Sequence, residues 1–229
     1  MKGILGRNSR ATMAGLAIVA LVAVVATFAF VRNLPAHASG SGSGGCTTAQ
    51  TSTCQFTGLS ALAQFQGSSD GCMYFGANVY AFQNVLHGPP DAPTSQAAVY
   101  LSVQSFDCNT GTWDSASGQS FDITFTVVNP LQSAHLVATV PVTDDYTGNP
   151  AGTITVDVTW QGYGPTARQI DSSHFRTAGM IFNSHFSGDN KSATASGTVS
   201  DGTTNYAAVP TMFNDIQSVR SGTISITRS

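Results

Sequence analysis

The sequence predicts an all-β protein: a single antiparallel β-sandwich, immunoglobulin-like or jelly-roll-like, of about nine or ten strands, behind an N-terminal signal or anchor helix. Three observations predict it. Apolar and polar residues alternate with a period of two along several short runs. Clusters of turn-forming residues separate those runs. The chain contains no Glu, so every one of its twelve acidic residues is Asp. Glu favours helices, whereas Asp favours turns and caps.

Residues 1–38 have the three-part layout of a secretory signal. Lys2, Arg7 and Arg10 precede an apolar run over residues 11–31, and Pro35 with Ala36, His37 and Ala38 follows. An Ala-x-Ala triplet of this kind marks a cleavage site after Ala38. The same run is nearly long enough to span a bilayer, so an uncleaved anchor is the other reading. Either way the expected location is secreted or extracellular, with a cell-surface tether if the segment stays, and the membrane is met only through this segment. Residues 39–70 read as a Gly/Ser/Thr-rich linker carrying a small disulfide loop, with a short strand or helical turn near residues 59–65.

Residues 71–229 carry the alternation and form the expected sandwich domain. Val99, Leu101 and Val103 oppose Tyr100, Ser102 and Gln104. Phe121, Ile123, Phe125 and Val127 oppose Asp122, Thr124 and Thr126. Leu136, Ala138, Val140 and Val142 follow, then Ile154, Val156, Val158 and Trp160 against Thr155, Asp157 and Thr159. Ile224 and Ile226 mark a last strand. Turn signals lie between them at residues 109–111, 129–130, 147–150, 162–165 and 201–202. One apolar and one Thr/Ser/Asp face per strand is the pattern of sheets with one face in water.

The four cysteines, Cys46, Cys54, Cys72 and Cys108, suit two disulfides in an exported chain. Cys72 opens one strand-like run and Cys108 closes the next. Their midpoint, position 90, falls in the loop at residues 87–93. Treated as cross-strand partners, they set a register in which Ala77 faces Val103, Val79 faces Leu101 and Ala81 faces Val99, all on one aliphatic side. Tyr74 faces Phe106, Tyr80 faces Tyr100 and Phe82 faces Ala98 on the other. Cys46–Cys54 then closes the small loop, and Cys54–Cys72 with Cys46–Cys108 is the competing connectivity. The aromatic side, Tyr74, Tyr80, Tyr100 and Phe106, is either a strand face buried on both sides or an exposed platform for a sugar ring or peptide.

Residues 171–187 contain Ser-His-Phe twice, eleven residues apart. A hairpin turning between Gly179 and Met180 puts His174 opposite His185. It also sorts Ser172, His174, Arg176, Asn183, His185 and Ser187 onto one face and Phe175, Phe182 and Phe186 onto the other. Two facing imidazoles with Asp189 form a candidate Zn²⁺ or Cu²⁺ site, or a pH-responsive pair. The simpler reading is a water-facing polar surface. Asp144, Asp145, Asn149, Asp189, Asn190 and Asp201 offer oxygens for Ca²⁺ without the spacing of an EF-hand.

Charge and motif content narrow the function. After the leader, five cations (Arg168, Arg176, Lys191, Arg220 and Arg228) stand against twelve aspartates. That leaves no footprint for nucleic acid and no basic stripe for an anionic membrane. No Gly-x-Ser-x-Gly, P-loop, dinucleotide fingerprint or Cys-x-x-Cys occurs, and nothing nominates a catalytic triad. The sequence therefore reads as a secreted, non-catalytic binding or surface-coat protein, needing no cofactor beyond a candidate Zn²⁺ or Ca²⁺. Its expected partner is a glycan, a cell-wall component or another surface protein. The alternatives are a metal-dependent hydrolase or metal-binding protein centred on the two histidines, and a structural subunit of a surface layer or filament using exposed strand edges.

Overall fold

The computed structural model describes residues 51–69, 72–87, 94–128, 130–177, 180–207, 209–211 and 213–228. Eleven strands follow in chain order: β1 (Thr51–Ser69), β2 (Met73–His87), β3 (Thr94–Asp107), β4 (Thr112–Ser120), β5 (Ile123–Val128), β6 (Ser133–Asp144), β7 (Pro150–Gly162), β8 (Ala167–Thr177), β9 (Met180–Ser200), β10 (Val209–Pro210) and β11 (Asp215–Arg228). Every pairing between them is antiparallel. Among the described residues there is no helix, hence none long and apolar enough to cross a membrane. The leader and Cys46 lie outside the described residues. So does the expected Cys46–Cys54 bridge, although Cys54 itself falls in β1.

The ladders run in the order β1–β11–β9–β7–β6–β4–β3–β2, and β2 pairs with β1 again. The hydrogen-bonded path therefore returns to its start, which satisfies the backbone of its strands without leaving those eight an unpaired end. β5 adds to β6, β8 to β9 and β10 to β1. The step from β4 to β6 depends on Gly118, which pairs with Val142. A Cβ on Gly118 would collide with the carbonyl oxygen of Pro141.

β6 and β7 show the alternation at its cleanest. Ala134, Leu136, Ala138, Val140 and Val142 are buried from β6, and Ile154, Val156, Val158 and Trp160 from β7, each separated by exposed residues. These side chains meet Ala77, Val79 and Ala81 of β2, Val99, Leu101 and Val103 of β3, and Ala61, Ala63 and Phe65 of β1 in one core. Trp160 is wholly buried, and its indole N–H donates to the Leu62 carbonyl at 2.8 Å. A buried indole needs such an acceptor, and here the bond ties β7 to β1.

The strand at Thr51–Ser69 corrects the reading of residues 39–70 as linker from Thr51 onward. Leu59, Ala61, Ala63 and Phe65 do alternate, but of the residues between them Ser60 and Gln64 are buried too (7% and 9% exposed) and Leu62 is half-buried. A strand paired on both edges and covered on both faces shows no polar side, so its period of two fades from the sequence. Its end is pinned by Asn214, whose Oδ1 accepts the Gln64 N–H at 2.8 Å while its carbonyl accepts Ala193 N–H.

Candidate binding face

The β2–β3 register agrees with the sequence reading pair for pair. Tyr74 lies opposite Phe106, Ala77 opposite Val103, Tyr80 opposite Tyr100 and Phe82 opposite Ala98. Cys72 and Cys108 are disulfide-bonded with Cα atoms 5.2 Å apart, and Cys108 N–H donates to the Cys72 carbonyl. The aliphatic side is core, as alternation requires.

The aromatic side divides in two. Tyr80 and Phe82 pack against each other with ring centres 5.7 Å apart, and Phe82 is buried. Tyr80 is partly buried as a residue, with its hydroxyl enclosed and bonded to Ser60. Burial pushes the Tyr80 phenol up, and the nearby Asp215 charge adds to this. Tyr100 is half-buried. Toward the disulfide the pattern reverses. Tyr74 is 51% exposed and Trp113 53% exposed, with Phe106 half-buried between them. Tyr74 and Phe106 lie 6.5 Å apart with planes 25° from parallel. Phe106 and Trp113 lie 4.8 Å apart at 31°. Three rings thus form a strip across β2, β3 and β4.

Trp113 is absent from the aromatic set expected from sequence, yet a signal for it existed. The turn at residues 108–111 is closed by Gly111 N–H to the Asp107 carbonyl, with Gly111 in the left-handed region at φ 70°. Asp107 Oδ1 accepts the Asn109 N–H at 2.8 Å. The Asn-Thr-Gly sequence announces that turn, and continuing the ladder from it puts Trp113 opposite Phe106. Two positions along, on the same face, Gln104 faces Ser115. Ser115 Oγ donates to Asp145 Oδ2, and Ser117 Oγ to Asp145 Oδ1 at 2.6 Å. A polar border of amide, hydroxyl and carboxylate thus flanks the strip.

The histidine hairpin is two residues out of the expected register. Ser172 pairs with His185 and His174 with Asn183, because Thr177 and Met180 already face each other across the turn. The imidazoles are therefore diagonal neighbours rather than opposite ones. Each is held by its true partner: Ser172 Oγ lies 2.7 Å from His185 Nδ1, and His174 Nδ1 lies 2.5 Å from Asn183 Oδ1. A carbonyl oxygen can only accept, so His174 Nδ1 carries the proton and its Nε2 is the free acceptor when neutral. A shift of two preserves the faces. His174, Asn183, His185, Thr223 and Ser225 line one shallow groove.

Asp189 stands apart from this groove. It pairs with Arg220 and lines a cleft of about 490 Å³ with Leu59, Val85, Val127, Leu131 and Val219. Among the described residues no three His, Cys, Asp or Glu side chains gather around a common point. Two of the aspartates considered for Ca²⁺, Asp144 and Asp201, serve their own turns. Asp144 Oδ1 accepts the N–H of Thr147 and Tyr146 and the Thr147 hydroxyl, and these bonds, led by the Thr147 N–H, hold its carboxyl below the usual range. At Asp201 burial pushes upward, but donors from Thr203, Thr204 and the Tyr206 hydroxyl outweigh it and bring the carboxyl to about 2.

Compared with known protein families, curated protein sequences and solved structures, the chain matches none.

Proposed function

We propose that this is an extracellular, non-catalytic β-sandwich that binds a carbohydrate or cell-wall polysaccharide on the strip of Tyr74, Phe106 and Trp113. In this reading the closed path of strands is flattened into two layers, β1–β3 on one side and β5–β7 on the other, over the shared core. The basic, apolar and small-residue leader supports the extracellular address.

One observation carries the binding reading: three aromatic rings from three adjacent strands lie side by side, with the two outer ones more than half exposed. Large apolar groups left in water at one spot mark an interaction surface. Tilted, near-parallel rings suit the apolar face of a pyranose, while Gln104, Ser115 and Asp145 sit where its hydroxyls need partners. A glycan array followed by pull-down on insoluble polysaccharide tests this. The double variant Tyr74→Ala, Trp113→Ala, with an unchanged far-ultraviolet spectrum, is expected to lose more than about tenfold in affinity, the scale of a central aromatic contact. No binding by the parent protein to any glycan sinks the reading.

A further inference from the structure

The charge distribution around the strip points to the kind of glycan. From Thr51 to Thr166 the sequence has no Lys or Arg. The five cations beyond the leader lie on β8, β9 and β11, whereas the strip is built by β2, β3 and β4. Carboxylates lie beyond its Trp113 end and in the turns around it. Asp145 is anchored beside the strip by Ser115 and Ser117. Asp107 heads the turn that joins Phe106 to Trp113, and Asp144 caps the turn that carries Asp145. The Asn109 N–H above all, with Thr110 assisting, holds Asp107 below the usual carboxylate range, so it is charged at neutral pH.

Resting on the stacking reading above, we propose that the strip selects glycans bearing free amino groups, a polyglucosamine being the model, and rejects polyuronates. A protonated amine at the Trp113 end of the strip meets the negative face of Trp113 and the carboxylate of Asp145, held by Ser115 and Ser117 of the same strand. A uronate in the same place meets only like charge, with no guanidinium or ammonium from this part of the chain to offset it. An N-acetylated or neutral sugar keeps the stacking and loses the ionic part.

The test compares three oligosaccharides of equal length on the full secreted protein by calorimetry: glucosamine, N-acetylglucosamine and galacturonate oligomers. The glucosamine oligomer is expected to bind about five- to tenfold more tightly than its acetylated form at low salt, the worth of one or two exposed charge contacts. That advantage is expected to shrink toward unity near 1 M salt, where the screening length falls to about 3 Å. Asp145→Lys is expected to erase the preference or turn it toward galacturonate, and Asp107→Asn to reduce it. Equal affinity for the amino and acetylated forms, or tight binding of galacturonate by the parent protein, overturns the selectivity while the stacking stands. Failure of all three oligomers to bind overturns both.

Discussion

Two hairpins invite comparison, because the same midpoint arithmetic locates both. For β2–β3 the pairing holds at every position. For β8–β9 it lies two residues away. The first midpoint came from a pair of cysteines, and a disulfide demands that its residues be neighbours in space. The second came from a repeated Ser-His-Phe triplet, and repetition demands nothing of the kind. Faces survived in both cases because side chains repeat every two residues, so an even shift moves partners without turning the strand over. Alternation reports which side a residue is on; only a covalent or packing constraint reports what it touches.

The largest effect that sharpens this contrast is expected at the disulfide. Cys72 and Cys108 are separated by 36 residues, and a loop of that length implies about 4 kcal/mol in the chain-entropy account. Cys72→Ala with Cys108→Ala is expected to lose roughly that much in urea unfolding. A loss below about 1 kcal/mol would mean that the aromatic and aliphatic pairs hold the β2–β3 register without the bridge.

A cross-link tests the second hairpin. Ser172→Cys with His185→Cys is expected to form a disulfide readily, since antiparallel partners have Cα atoms about 4.5–5.5 Å apart. His174→Cys with His185→Cys, a diagonal pair, is expected to stay reduced under the same oxidation. The reverse result, read by mass spectrometry, restores the register in which the imidazoles oppose each other.

A smaller effect is expected where the two hairpins communicate through β1 and β11. Asp215 is largely buried, its Oδ2 accepts from Asn190 of β9 and Gln217, and its Oδ1 has no hydrogen-bond partner among the described residues. Burial raises its carboxyl above the usual value. A carboxyl raised in the folded state weakens folding as pH climbs through the unfolded value, near 4, and then the folded one, because ionisation costs more inside than outside. Asp215→Asn is therefore expected to gain on the parent protein between pH 4 and 7 in denaturation midpoint. A gap that does not widen with pH would show that folding does not disfavour the charged form of Asp215.

The histidines illustrate how far a local motif reaches. Their shared face was legible, since Ser172, His174, Asn183 and His185 alternate with residues of the opposite side. Their partners were not, because the turn at the end of β8 sets them. Trp113 illustrates the opposite case: its turn and its ladder are both legible, and the step from Phe106 across the turn to β4 places it. β1 was concealed for a physical reason, as burial of both faces removes the polar contrast that marks a strand.

The sequence by itself determined the strand-rich character, the alternating faces and the scarcity of positive charge, and it offered Cys72–Cys108 as one of the competing connectivities. All of these follow from nearest-neighbour geometry and composition. The tertiary structure alone decided that the ladders return to β1, that Tyr80 is enclosed while Tyr74 and Trp113 meet water, and that Asp145 is bonded to Ser115 and Ser117 on the strand that carries Trp113. Those outcomes depend on which strand lies over which, and contacts between residues far apart in the chain leave no periodic trace in it.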